Sequence, residues 1–386
     1  MGADVLITRT EDLATFCNRA SKCAYVTVDT EFIRETTYWP QLCLVQLAIS
    51  PEDAVAVDPL AEGIDLAPLD ALMLNKNVLK VFHAGRQDLE IFFKRMNALP
   101  TPIFDTQVAA MVCGFGESAS YEKLVNQLIG AHLDKGSRYT DWAVRPLSAR
   151  QLTYAIGDVT HLCCVYEKLA EEISSAERME WVAEEMAILT NPATYNPDVR
   201  ETWRRLKPRT ESRRFLAILR ELAAWREMEA QKRNLPRGRV LRDDILMELA
   251  AHAPKNANEM SRLRGISQGF SDGKLGQGAL EAIKTGTDLP EKDCPPHLGL
   301  KHPPKYNESI LELLRVLLRM ASEEHKVAAK LIAGSDDLIC MAAGENEGIP
   351  ALSGWRREVF GENAIALMEG KACLGLKRGH ISLIRE

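Results

Sequence analysis

The sequence predicts an α/β domain, in which a mixed sheet is flanked by helices, followed by two all-α helical modules. In the first half of the 386-residue chain, three β-rich runs with short links give way to alternating strand and helix patterns. That order is typical of a mixed sheet covered by helices. In the second half helical spacing dominates, and proline-rich breaks separate its two parts. The length also suits two or three domains.

The breaks set the predicted boundaries. They give an α/β domain over residues 1–190, a linker over 191–208, a first helical module over 209–289, a proline-rich linker over 290–304 and a second helical module over 305–386.

Within the α/β domain, hydrophobic spacing predicts the individual elements. Strands are expected over residues 5–8, 26–32, 42–49, 54–58 and 78–82, the second to fourth as an antiparallel meander. Helices are expected from residue 10 and over 66–74, 86–96, 105–113, 121–129 and 148–173.

Composition limits the class of protein. The net charge of -6 argues against a generally basic protein, although a total says nothing about local patches. No basic leader opens the chain, and no stretch approaches the roughly 18 apolar residues of a membrane span, so we expect a soluble, cytoplasmic protein. Nine scattered cysteines without a Cys-x-x-Cys pair indicate reduced thiols rather than a disulfide or zinc framework.

Two acids stand at the end of a predicted buried strand, residues 26–32. Alternate side chains of a strand share a face, so Asp29 and Glu31 project to the same side. Carboxylates held this close repel unless they share a proton or a cation, and a hard divalent metal prefers such oxygen ligands. The alternative is a strand end that has reached solvent.

Further acids follow on two predicted helices. Asp88 lies in the first turn of one helix, and Tyr154 and Asp158 are four residues apart on one face of another. Taken singly, Asp88 could equally be a solvated acid at the start of a helix. Tyr154 and Asp158 could equally be a hydrogen-bonded pair on one helix face. Together, four acids and a phenol on three elements have the composition of a two-metal phosphoryl-transfer site.

The three segments resemble the three exonuclease motifs of the DEDD superfamily of 3′-to-5′ exonucleases, which have a ribonuclease H-like fold. Tyr154, four residues before Asp158, is typical of the tyrosine subclass, DEDDy. The segments over residues 103–107, 133–136, 140–142 and 145–152 are similar to those of the ribonuclease D family in particular.

The resemblance implies a mechanism. Asp29, Glu31, Asp88 and Asp158 would hold two divalent cations, Mg²⁺ or Mn²⁺, and Tyr154 would orient the attacking water. The implied activity is a metal-dependent 3′-5′ exoribonuclease that releases 5′-mononucleotides from free 3′ ends. The implied partner is structured RNA such as precursor tRNA.

Four other residues are weaker candidates for substrate contacts. His83 closes a strand near Asp88, and Lys135, Arg138 and Arg145 lie in the loop that leads to the Tyr154 helix, where cations suit backbone phosphates. Local hydrogen bonding explains His83 as well, and a solvated loop explains the three cations as well.

The helical modules extend the resemblance. Residues 200–242 carry many more Lys and Arg residues than acids, which suits a polyanion. Residues 226–236 and 263–266 resemble the helicase-and-RNase-D C-terminal (HRDC) domain, a helical nucleic-acid-binding fold. A helical interaction module without RNA contact remains the alternative. The second module is a more divergent, more acidic copy, for which we expect a packing role.

Two other functions remain open. A 3′-5′ DNA exonuclease would have the same carboxylates, because RNA is told from DNA by contacts to the 2′-hydroxyl that no motif here declares. A non-catalytic RNA-binding scaffold would be expected to have lost a carboxylate or the tyrosine, and all five are present. A helicase is disfavoured because the sequence lacks a phosphate-binding Gly-x-x-x-x-Gly-Lys-[Ser/Thr] loop.

Overall fold

The structure is a computed structural model that describes residues 5–133, 140–208, 210, 212–295 and 305–385. The chain divides into two compact units. The first consists of the described parts of Met1–Phe32, Leu42–Pro192 and Pro303–Glu386, and the second of those of Ile33–Gln41 and Ala193–His302.

The first unit contains the predicted mixed sheet. Its strands are β1 (Leu6–Ile7), β2 (Tyr25–Ile33), β3 (Gln41–Ser50), β4 (Asp53–Val57), β5 (Leu79–Phe82) and β6 (Ile103–Asp105), in the spatial order β1-β4-β3-β2-β5-β6. Strands β3 and β4 are antiparallel, whereas β2, β5 and β6 run parallel. Strand β6 was not predicted from the sequence, because three residues are too few to establish a period.

Helices cover this sheet, as predicted. They are α1 (Thr10–Ala20), α2 (Ala67–Leu74), α3 (Arg86–Met96), α4 (Thr106–Val112), α5 (Tyr121–Leu124), α6 (Ala149–Ser175) and α7 (Met179–Leu189), and a π-helical segment, Val125–Ile129, continues α5. The bounds of α3 coincide with those predicted from its spacing. Ser148 and Gln151 start α6 with a reciprocal capping box.

Helix α6 is fastened to the middle of the sheet. The buried Thr27 hydroxyl of β2 donates to the Val159 carbonyl oxygen of α6 over 2.9 Å. Ala48 of β3 packs with Val159 and Cys163 in the same cluster. The face of the sheet that carries Thr27 and Ala48 is therefore the face that α6 covers.

The C-terminal module belongs to the same unit. Its helices are α14 (Glu308–His325), α15 (Ala329–Ile332), α16 (Ser335–Ala342), α17 (Gly354–Arg356) and α18 (Glu362–Met368). The chain then ends in an antiparallel hairpin of β7 (Ala372–Lys377) and β8 (His380–Arg385). The module is helical as expected, and it ends in this hairpin, which the sequence did not predict.

The module packs directly on the α/β domain. The Ala328 amide donates to the Met111 carbonyl oxygen over 2.9 Å, and the rings of Trp181 and Trp355 stack with centroids 4.6 Å apart. Arg356 also pairs with Glu185 of α7, and both side chains are largely buried. These contacts agree with the packing role expected for this module.

The second unit is a helical domain. Its α-helices are α8 (Arg213–Arg233), α9 (Arg237–Val240), α10 (Asp243–His252), α11 (Ala257–Ser261), α12 (Gln268–Asp272) and α13 (Lys274–Asp288). The segment expected to be a linker contains a 3₁₀ helix, Val199–Leu206, whose Trp203 is buried in the core of this unit. Tyr38 joins the same core and hydrogen-bonds Glu227.

Two further expectations concern the whole chain. All nine cysteines are free thiols. Among the described helices none is both long and apolar enough to cross a bilayer.

Candidate active site

Three of the predicted acids converge where β2 faces α6. Asp29 and Glu31 project from β2 on one face, as their alternation predicts, and Asp158 comes from the middle of α6. Each offers a carboxylate oxygen within 4.8 Å of the other two. This spacing fits a single cation-binding cluster, and it arises because Thr27, two residues before Asp29, fastens the strand to Val159.

Asp88 stands beside this cluster rather than within it. It lies in the first turn of α3, is 7% exposed, and accepts a hydrogen bond from the Thr30 hydroxyl of β2. Gly85 lets α3 start here, because a Cβ at this position would lie 2.6 Å from the Cβ of Phe82. Asp88 is thus held both by Thr30 of β2 and by the turn at Gly85.

Asp105 fixes the same turn from β6. Its Oδ2 accepts from the Gly85 amide over 2.8 Å, and its Oδ1 accepts from the Ala84 amide over 3.1 Å and from the Gln107 amide over 2.8 Å. One buried carboxylate therefore caps α4 and also holds the start of the helix that carries Asp88.

The acids are in an environment that disfavours their negative charge. Burial, and then the charges of Asp158 and Asp88, raise the pKa of Glu31 to about 8. Burial raises the pKa of Asp88 to about 6, against the opposing effect of the Thr30 hydrogen bond. The pKa of Asp29 is also raised, by burial and then by Asp88, Asp158 and Glu31.

These shifts test whether the residues fit a divalent metal. Carboxylates that cannot all ionise alone become favourable ligands once a cation supplies the opposite charge. Oxygen ligands are those that Mg²⁺ and Mn²⁺ prefer. The donor set therefore fits a divalent cation.

Tyr154 adjoins the cluster on α6. Burial first, and then Asp158, Glu31 and Asp29, raise the pKa of its phenol above the ordinary value. A hydrogen bond to Asp158 contributes to the same shift. The phenol consequently remains protonated at neutral pH, when it can donate a hydrogen bond but is a poor metal ligand.

A cavity of about 430 Å³ opens onto the carboxylates. Its lining comprises Asp29, His83, Ala84, Gln107, Ser118, Ser120, Tyr121, Glu122, Leu133, Tyr154, Asp158 and Leu162. Its mixture of polar and apolar side chains, next to the acids, provides space for the end of a substrate.

His83 and Tyr121 form one wall of this cavity. The Nδ1 of His83 lies 2.9 Å from the Thr106 hydroxyl, and the two aromatic ring centroids are 5.3 Å apart. The Tyr121 hydroxyl donates to the Asp158 carbonyl oxygen over 2.6 Å. Burial lowers the pKa of His83, so this wall carries a neutral imidazole.

The predicted cations of the preceding loop have different positions. The Arg145 guanidinium pairs with both oxygens of Asp58 over 2.7 and 2.8 Å and donates to the Trp142 carbonyl oxygen over 2.6 Å. The Arg145 side chain therefore stabilises the loop before α6, and these donors bind protein groups. Lys135 and Arg138 lie outside the described residues.

The structure adds residues that the sequence analysis did not assign to the site. Thr30 lies between the two predicted acids of β2, and its position alone could have attracted notice. Asp105 and Gln107 fall within one of the segments that carries the family resemblance. Tyr121 begins a predicted helix, and nothing in its local sequence indicates that it reaches α6.

The sequence and the fold place the chain in the class of 3′-5′ exonucleases. Residues 5–174 match the family model of the 3′-5′ exonuclease, and residues 215–283 match the HRDC domain. Ribonuclease D of Gluconacetobacter diazotrophicus is 50% identical over 372 residues, which cover 96% of this chain and 94% of that protein. Ribonuclease D of Granulibacter bethesdensis is 48% identical over 385 residues, covering 98% and 96%.

A solved structure agrees over the same length. The crystal structure of Escherichia coli RNase D, "an exoribonuclease involved in structured RNA processing", superposes with a TM-score of 0.80 at 31% identity, covering 95% of this chain and 98% of that one. The chain belongs to the ribonuclease D family. It is a 3′-5′ exoribonuclease that acts on RNA.

Proposed function

We propose that this exoribonuclease trims the 3′ ends of structured RNA such as precursor tRNA, releasing 5′-mononucleotides. Asp29, Glu31, Asp88 and Asp158 hold two divalent cations, Mg²⁺ or Mn²⁺, and Tyr154 orients the attacking water. The convergence of Asp29, Glu31 and Asp158 within 4.8 Å, beside a cavity that Asp29 and Asp158 line, is the observation that carries this proposal.

The residues of the chain divide the work. When bound, the cations would lower the pKa of water and stabilise charge on the leaving 3′ oxygen. Asp29 and Glu31 would bind the cations from β2, and Asp158 would bind them from α6. Asp88 supplies the fourth carboxylate, which Thr30 and the turn fixed by Asp105 hold in place. The protonated phenol of Tyr154 orients water next to Asp158.

The substrate proposal draws on different observations. The Escherichia coli neighbour is described as acting in structured RNA processing. The HRDC match, residues 215–283, overlaps the strongly basic segment that suits a polyanion. Precursor tRNA is a structured RNA with a free 3′ end, so it is the substrate with which we would begin.

The test is digestion of a 5′-labelled precursor tRNA and of a matched single-stranded DNA, in Mg²⁺, in Mn²⁺ and in EDTA. The proteins are the wild type, Asp158→Asn and the control Asp12→Asn, which alters an exposed acid of α1. We expect stepwise shortening of the RNA that EDTA and Asp158→Asn abolish and that Asp12→Asn leaves intact. RNA binding without shortening under every metal condition would contradict the proposal, and faster shortening of the DNA would reassign the substrate.

A further inference from the structure

Gln46, in the middle of β3, is a buried polar residue without a local explanation. Its side chain is 0% exposed. Neither its amide nitrogen nor its amide oxygen has a hydrogen-bond partner in the described part of the chain. An unsatisfied buried amide lowers stability, and an apolar side chain of similar shape would avoid that cost. A buried amide at such a position needs a hydrogen-bond partner to offset this cost.

The sheet identifies the direction in which Gln46 points. Along a strand alternate residues share a face, so Gln46 lies on the same face of β3 as Ala48. Ala48 packs with Val159 and Cys163 of α6. The carboxamide of Gln46 is therefore on the face that α6 covers, which is also the face of Asp29 and Glu31.

The pairing of β3 with β2 shows which residue of β2 lies next to Gln46. Strands β2 and β3 are adjacent and joined by a short connection, and so they run antiparallel, because a parallel pair would need a longer crossover. The Thr27 hydroxyl lies 3.3 Å from the Ala48 carbonyl oxygen, which sets these two residues side by side. Counting from this pair, antiparallel pairing places Asp29, two residues further along β2, across from Gln46, two residues back along β3.

Cross-strand neighbours on one face have Cβ atoms about 4.5–5.5 Å apart, within reach of an amide and a carboxylate. The next pair in this register joins Glu31 to Leu44, which is apolar and fully buried. The α6-facing side of β3 therefore does not need an amide at every position. The amide occurs at the position of β3 that this register places across from Asp29.

We propose that Gln46 is a positioning residue for Asp29. In the metal-bound enzyme its amide nitrogen donates a hydrogen bond to the Asp29 carboxylate and fixes the orientation in which the other lone pairs of that carboxylate bind the cation. A carboxylate has about four acceptor sites, so one bond from Gln46 leaves room for metal. This inference rests on the proposed metal-binding function of Asp29.

The experiment compares Gln46→Met, which keeps the volume but removes the amide, with Leu44→Met on the same face of the same strand. Mn²⁺ affinity is measured by calorimetry, thermal unfolding is followed with and without Mn²⁺, and RNA shortening is followed as Mn²⁺ is raised. We expect Gln46→Met to bind Mn²⁺ about tenfold or more weakly, the usual effect of removing a partner that orients a metal ligand. Its metal-free Tm should be no lower than that of Leu44→Met, because methionine avoids the cost of the unpaired amide, and its activity should recover as Mn²⁺ is raised.

Other results would overturn the inference. Equal Mn²⁺ affinity for Gln46→Met and wild type would show that Gln46 does not form the proposed hydrogen bond with Asp29. A loss of metal-free Tm well beyond that of Leu44→Met would make Gln46 a structural residue. If Gln46→Met does not fold, Gln46→Leu is measured, and failure of both to fold would likewise assign the amide to folding. A wild type that binds no Mn²⁺ would instead refute the proposed function.

Discussion

The Thr30 hydroxyl donates a hydrogen bond to Oδ1 of Asp88, so the strand that carries Asp29 and Glu31 is tied to the helix that carries a further acid. This bond also opposes the effect of burial on the pKa of Asp88. It therefore favours the ionised form that a cation requires.

Removing that hydroxyl should weaken metal binding. Thr30→Val keeps the β-branched shape, but it raises the pKa of Asp88 further and frees its carboxylate. We expect the Mn²⁺ concentration for half-maximal RNA cleavage to rise about tenfold. The control is Thr15→Val, which loses an exposed hydroxyl bond to the Glu11 carbonyl oxygen. An unchanged Mn²⁺ requirement in Thr30→Val would show that this bond does not hold Asp88 for metal.

The carboxylates should make metal-free stability depend on pH. The pKa of Glu31 is raised to about 8 in the folded protein from an ordinary value of 4.5, so between these values the folded state holds more protons than the unfolded one. The contribution of Glu31 to the free energy of unfolding is therefore fully present at low pH and falls as the pH rises toward 8. The loss is at most about 1.4 kcal/mol per pKa unit.

Thermal unfolding in EDTA between pH 5 and 8 measures this effect, with Glu31→Gln for comparison. We expect the wild type to lose Tm over this range more steeply than Glu31→Gln, and Mn²⁺ to remove the difference in slope. Parallel curves for the two proteins in EDTA would indicate that Glu31 ionises at its ordinary pKa.

The acids and Tyr154 should behave differently on substitution. Asp29→Ala, Asp88→Ala and Asp158→Ala are expected to abolish hydrolysis while circular dichroism shows an intact fold, because each removes a proposed metal ligand and leaves the apolar core unchanged. Near-normal turnover in any of the three, measured on labelled RNA at saturating Mn²⁺, would refute the assignment of that acid.

Tyr154→Phe should slow the reaction without weakening metal binding. Its hydroxyl adjoins Asp158 but remains protonated, so the variant loses a donor and keeps every carboxylate. We expect turnover to fall about 10- to 100-fold and calorimetric Mn²⁺ affinity to stay as in wild type. Tyr166→Phe, further along α6, serves as the control. A loss of Mn²⁺ affinity in Tyr154→Phe would make the phenol a determinant of metal binding instead.

The C-terminal module should depend on one buried ion pair. Arg356→Leu leaves Glu185 of α7 buried without its partner, where burial already raises the pKa of this carboxyl. We expect urea denaturation to show a loss of about 3 kcal/mol at neutral pH. Arg356→Leu combined with Glu185→Leu should regain much of that loss. A double variant as unstable as the sum of the single changes would mean that the two side chains act independently.

The sequence predicted much of the fold from local patterns. The spacing of α3 gave its bounds over residues 86–96, and alternation along β2 placed Asp29 and Glu31 on one face. The fold class and the family resemblance were both confirmed. Short elements such as β6, and the hairpin of β7 and β8, escaped because too few residues carried the pattern.

The sequence by itself determined which residues share a face of one element, because helical and strand periods are properties of the local chain. Only the tertiary structure decided which faces meet. The approach of Asp158 to Asp29 and the hydrogen bonds from the α3 turn to Asp105 both join residues far apart in the chain. Packing and hydrogen bonds between elements fix such contacts, and no local period records them.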